Sequence, residues 1–109
     1  MGFVQYHETA SELPEETRAF ARIITSMAEE ADAINSYEQR MVVEKDATVR
    51  AIMGNAQQEE FKHLGMELEF LLRAKPKWRT ILQGILFTDG DIVALGSAAE
   101  KSAGENAKH

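Results

Sequence analysis

Glu30 and the Glu60-x-x-His63 triplet carry the side chains best suited to metal chemistry in this sequence. Residues three apart on a helix are neighbours, so Glu60 and His63 share a face. Positions 30 and 60 are equidistant from Lys45, which sits in the good turn between two long helical patterns, Val43-Glu44-Lys45-Asp46-Ala47-Thr48. A chain folded back there brings Glu30 level with Glu60. Two carboxylates and an imidazole at one height in a helix bundle suit iron or manganese.

Long helices must position these groups. Residues 1–12 are polar and irregular. Pro14 suits the first turn of a helix, and Glu15 and Glu16 favour its positive end. From there to about Glu44 the chain has neither Pro nor Gly, and Phe20, Ile23, Met27, Ile34 and Met41 recur with a helical period. Asp46 is an N-cap for a second helix that runs to about Ala74, with the stripe Val49, Ile52, Met53, Ala56, Leu64, Leu68 and Leu71. Gly54 and Gly65 each weaken it by ~1 kcal/mol relative to Ala, unless they permit a close helix approach. Pro76 ends it, and a short third helix follows with Trp78, Ile81, Leu82, Ile85 and Leu86. Thr88-Asp89-Gly90-Asp91 reads as a turn. The remainder is rich in Ala, Gly and Ser and reads as a flexible tail. The expected organisation is an irregular segment over 1–12, a helical domain over 13–88 and a tail over 89–109.

The expected fold is all-α, an antiparallel two-helix hairpin plus a short C-terminal helix. Helices of about 30 residues are ~45 Å long, and one hairpin cannot cover both apolar stripes along that length. Pairing two hairpins into a four-helix bundle is the natural remedy.

The chain has 109 residues, the length of one small domain. A net charge of -6 argues against nucleic acid or an anionic membrane as partner and suits a protein that gathers cations. The absence of cysteine excludes disulfides, zinc-thiolate sites and thiol catalysis. No apolar run approaches the ~20 residues of a membrane span. The N-terminus has no signal-peptide pattern, and Met1-Gly2 is followed by Tyr6 where myristoylation wants Ser or Thr. A soluble, cytoplasmic protein is expected.

Glu30 lies in a row with Ile23, Tyr37 and Glu44, beside the row Phe20, Met27, Ile34 and Met41. The matching row on the second helix is Val49, Met53, Ala56, Glu60 and His63, with Glu67 beyond. Buried carboxylates need a counter-charge, no Lys or Arg stands in either row near them, and a divalent cation is the simplest partner. Tyr37, two helical turns from Glu30, could hydrogen-bond a ligating carboxylate. A lone Glu-x-x-His on a helix is common and usually means nothing; Glu30 at the mirror position on an apolar stripe is what gives it weight. Glu29 and Glu59 read as solvated neighbours, the methionines as core filler, and Trp78 as an interface anchor. His7 and His109 are assigned no role.

Ferritin-like di-iron proteins take one Glu from each of two helices and a Glu-x-x-His from each of two others. This chain holds half of that set, and two copies related by a two-fold axis would complete it. The segments Leu13-Pro14-Glu15-Glu16-Thr17-Arg18, Glu29-Glu30-Ala31-Asp32-Ala33, Tyr37-Glu38-Gln39-Arg40, Glu59-Glu60-Phe61-Lys62-His63 and Leu86-Phe87-Thr88 resemble the encapsulated ferritins, which are carried inside encapsulin nanocompartments. The resemblance implies a ferritin-like four-helix bundle made by two protomers paired through iron, with dimers arranged in a ring-shaped decamer. It implies ferroxidase ligands at Glu30, Glu60 and His63, with Tyr37 close by, and a weaker outer site at Glu29 and Asp32 that guides iron inward. The family often has a Trp beside the Tyr near that outer site, where this chain has Ser36. Its shell-docking peptide usually reads like Leu-Thr-Val-Gly-Ser-Leu. The nearest stretch here, Val93-Ala94-Leu95-Gly96-Ser97-Ala98, keeps the Gly-Ser pair but ends in Ala98, and reads equally as a tail with a chance Gly-Ser.

The expected activity is a ferroxidase that oxidises Fe2+ to Fe3+ with O2, two irons per dimer interface, for iron storage or detoxification inside an encapsulin shell. The alternative is a non-catalytic helical adaptor whose dimer is held by metal. A rubrerythrin-like peroxide reductase is a third reading, weakened because a cysteine-free chain has no rubredoxin centre.

Overall fold

The computed structural model describes residues 3–107, and every regular element among them is helical. Met1-Gly2 and His109 lie outside the described residues, as does the end of the expected tail. A short 3-10 turn at Ala10–Glu12 precedes helices α1 (Glu15–Val43), α2 (Ala47–Ala74), α3 (Pro76–Gln83) and α4 (Ile92–Ala107).

Local chemistry sets these boundaries. Pro14 stands at the N-cap of α1, and its carbonyl accepts from the backbone N–H groups of Thr17 at 3.1 Å and Arg18 at 3.0 Å. Glu15 and Glu16 occupy the first turn, where the helix dipole favours anions, and Arg40 occupies the last. Asp46 caps α2: its Oδ1 accepts from Thr48 N at 2.9 Å and Val49 N at 3.1 Å, which satisfies two otherwise orphaned donors. The Arg50 guanidinium donates to the Glu44 carbonyl at 2.8 Å and ties the turn to α2.

The chain divides into two compact units, Met1–Glu69 and Phe70–His109. In the first, α1 and the larger part of α2 run antiparallel. Met41 faces Gly54. The Gln57 amide donates to the Ile34 carbonyl at 3.1 Å and the Glu38 carboxylate at 2.9 Å. His63 faces Glu30. Phe20, Ile23, Met27, Ile34 and Met41 are half-buried rather than sealed, and Thr25, bonded to the Ala21 carbonyl at 2.7 Å, is the buried residue of α1. Ile52, expected on the apolar stripe, is exposed.

The second unit corrects the expected tail. Residues 92–107 form α4, which packs on α3. Asp91 starts it, accepting from Val93 N at 3.1 Å through Oδ1 and from Leu95 N at 2.9 Å through its carbonyl. Ala99 and Ala103, four apart on one face, are buried, as are Leu71 and Leu72 at the end of α2. A Cβ at Gly84 would stand 2.7 Å from the Ala99 Cβ, so only glycine allows this approach of α4. The small residues that suggested flexibility are the ones that let two helices come close. Gly54 and Gly65 play no such part: a Cβ at Gly54 would make ordinary contact with the Met41 sulfur at 3.5 Å, and at Gly65 it would meet nothing within 4 Å. The third helix is also shorter than expected, with Ile85 and Leu86 in the turn after it.

Candidate metal centre

The hairpin brings Glu30 from α1 to Glu60 and His63 from α2, with one ligand atom from each residue lying within 4.8 Å of the others. His63 Nδ1 and Glu30 Oε1 are 3.8 Å apart, too far for a hydrogen bond. Two ligands on one ion, each ~2.1 Å from it, stand ~3–4 Å apart, and the Glu30–His63 pair has that spacing. The set is open at one end and closed at the other: the His63 side chain is 46% exposed, and that of Glu30 only 16%.

Glu30 carries the electrostatic strain of the site. Its carboxyl is pushed up to about 7, first by burial, then by a hydrogen bond and charge repulsion from Glu67. Glu29 pushes in the same direction, and His63 pulls the other way. Glu30 Oε2 and Glu67 Oε1 are both buried, and neither meets a donor. As carboxylates, the two bond each other only when one holds a proton. Oxygen and imidazole donors with an orphaned buried carboxylate oxygen fit a divalent iron-type cation and its charge.

The remaining sequence candidates lie outside this group. Tyr37 is half-buried on α1, with the Arg40 guanidinium 5.4 Å from its ring centroid. Glu29 and Asp32 are exposed. Glu59 pairs with Lys62 at 2.8 Å, and this contact holds its carboxyl below the usual range. Val93 to Ala98 lie in the first turns of α4, with Val93 exposed and Leu95 half-buried. Glu67 is the residue that sequence reasoning placed beyond the site and left without a role. Its spacing, four after His63 and seven after Glu60, puts it on the same helix face. A fold-back centred on Lys45 sets it two turns from the level of Glu30. The facing pairs instead mirror about positions 45 to 48, which brings it within reach.

Residues 5–89 match the EncFtn-like family, a segment that takes in all of α1, α2 and α3 and stops short of α4. The chain is also 39% identical over 105 residues to an encapsulated ferritin-like protein of Rhodospirillum rubrum, covering 94% of this chain and 75% of that one. It belongs to the encapsulated ferritin family. A ferritin-like protein of Thermotoga maritima is 44% identical over 91 residues, which span 84% of this chain and 80% of its own. The crystal structure of a Nitrosomonas europaea protein superposes with a TM-score of 0.77 at 38% identity, covering 80% of this chain and 96% of that one. Members of a ferritin-like family handle iron, and this encapsulated ferritin carries its carboxylate–imidazole group on the α1–α2 hairpin.

Proposed function

We propose that the protein is a ferroxidase, oxidising Fe2+ to Fe3+ with O2 at a di-iron centre shared by two protomers. The observation that carries this reading is the meeting of Glu30, Glu60 and His63 within 4.8 Å on facing helices of an encapsulated ferritin. Fe2+ is the substrate; each ion gives up one electron, and O2 is the acceptor. The residues do the positioning. Glu30 and Glu60 offer hard oxygens suited to both oxidation states, and His63 contributes a borderline nitrogen that fixes one side of the ion. Tyr37 supports the carboxylates from two turns along α1, and Glu29 with Asp32 on the outer face gather incoming cations.

One chain supplies half of a ferritin-type set, so a second copy across a two-fold axis completes it. In this reading the pairs form a ring-shaped decamer held inside an encapsulin shell in the cytoplasm, with the Val93–Ala98 stretch of α4 as the docking segment. The name of the Rhodospirillum rubrum relative supports the enclosed location.

The test is an anaerobic Fe2+ titration followed by O2, with ferric absorbance recorded. Rapid oxidation saturating near one iron per chain, reduced to the protein-free rate in Glu30→Ala and in His63→Ala, is the expected result. Full activity in both variants would rule the site out. Metal-dependent pairing without O2 consumption would transfer the assignment to a non-catalytic adaptor.

A further inference from the structure

Glu67 is half-buried and has no place in the function as stated, yet the burial of one of its carboxylate oxygens is hard to explain without one. It projects from the same face of α2 as Glu60 and His63, one turn beyond the imidazole. Its Oε1 is buried without a donor, and so is Oε2 of Glu30. The charged groups that act on Glu30 are Glu67, His63 and Glu29, with no Lys or Arg among them. An acceptor buried without a donor costs free energy, and two facing acceptors cost more. Helix α2 could remove that cost with any neutral residue at 67. A proton shared between the two carboxylates relieves only one of the charges; a divalent cation turns both orphaned oxygens from repulsive to attractive together with both groups ionised.

We propose that Glu67 is a fourth ligating residue of the centre, joining Glu30, Glu60 and His63 on the bound cation. This rests on the reading of those three as a metal centre. The added carboxylate gives each chain three hard oxygens and one imidazole. Coulomb attraction grows with the charge of the ion, so Glu67 favours Fe3+ over Fe2+ and thereby favours oxidation.

Co2+ tests the assignment without redox chemistry. The full chain, Glu67→Gln and His63→Ala are titrated with Co2+ while the visible ligand-field band and far-UV circular dichroism are recorded. Glu67→Gln should bind Co2+ at least tenfold more weakly than the parent, with a shifted band, because a lost ligand changes both affinity and field. Its metal-free form should melt no lower than the parent, since the amide supplies the donor that Glu30 lacks. Unchanged affinity and band in Glu67→Gln, with uptake lost in His63→Ala, would overturn the role of Glu67 and leave the centre standing. Absence of Co2+ uptake by the parent chain would overturn the centre and this inference together.

Discussion

Glu30 is the side chain on which the electrostatics of the site converge. Burial, followed by Glu67, raises its carboxyl to about 7, whereas in the unfolded chain it titrates near the ordinary 4.5. The folded state therefore holds the proton more tightly. The resulting stabilisation is complete below about pH 4.5 and is lost as the pH rises through about 7. Metal-free protein should melt at a higher temperature at pH 5 than at pH 8, by the equivalent of about 3 kcal/mol at most, and Glu30→Gln should flatten that difference. Thermal melts across pH in the presence of a chelator measure this. A bound cation inverts the preference by holding Glu30 ionised. Cation uptake should then release protons below pH 7, and affinity should fall as the pH drops from there. Equal proton release at pH 6 and pH 8.5 would contradict the linkage.

At the scale of elements, the hairpin and the short third helix are legible in the sequence and α4 is not. Apolar spacing, the absence of Pro and Gly over 15–43, and Asp46 as a cap located α1, the turn and α2 closely, because those signals act locally. The level of Glu30 with Glu60 and His63 followed from the turn alone. The finer register did not: facing residues are chosen by packing, and the shift beyond Lys45 that brings Glu67 to Glu30 leaves no mark in composition. The residues of α4 read as a tail because Ala, Gly and Ser are shared by flexible chains and by closely packed helices. What distinguishes them is the long-range pairing of Gly84 with Ala99. Gly84→Ala tests that pairing. Its backbone is right-handed helical, so the added Cβ brings steric conflict with Ala99 and no backbone strain. A loss of about 1–3 kcal/mol in urea unfolding is expected. A gain in stability, the usual result of Gly→Ala in an open helix, would show that the approach yields easily.

At the scale of the whole molecule, the chain leaves much apolar surface in water. Ile24, Ile52, Phe61 and Met66 on the hairpin are all exposed, and no side chain along the apolar stripes of the first unit is fully buried. In the proposed assembly a second copy would cover surface of that kind. It stands beside a metal group whose imidazole is nearly half exposed, so the same pairing of copies that covers the apolar residues would also close the centre. Native mass spectrometry should show assembly that rises with anaerobic Fe2+ and falls with chelator, and Phe61→Asp should weaken it at least tenfold while leaving helix content unchanged. Iron-independent mass in both proteins would argue that metal plays no part in association. Among the described residues no helix is long and apolar enough to cross a membrane.

Phe87, after α3, has its backbone in the left-handed region with φ 60° and its ring wholly exposed. That conformation costs an ordinary residue ~1–2 kcal/mol, which glycine would avoid. A single chain selected for its own stability would have no use for an aromatic ring there. The fold is locally frustrated at this corner, and the sequence answers to more than one constraint: the lowest free energy of the isolated protomer is not the quantity it minimises.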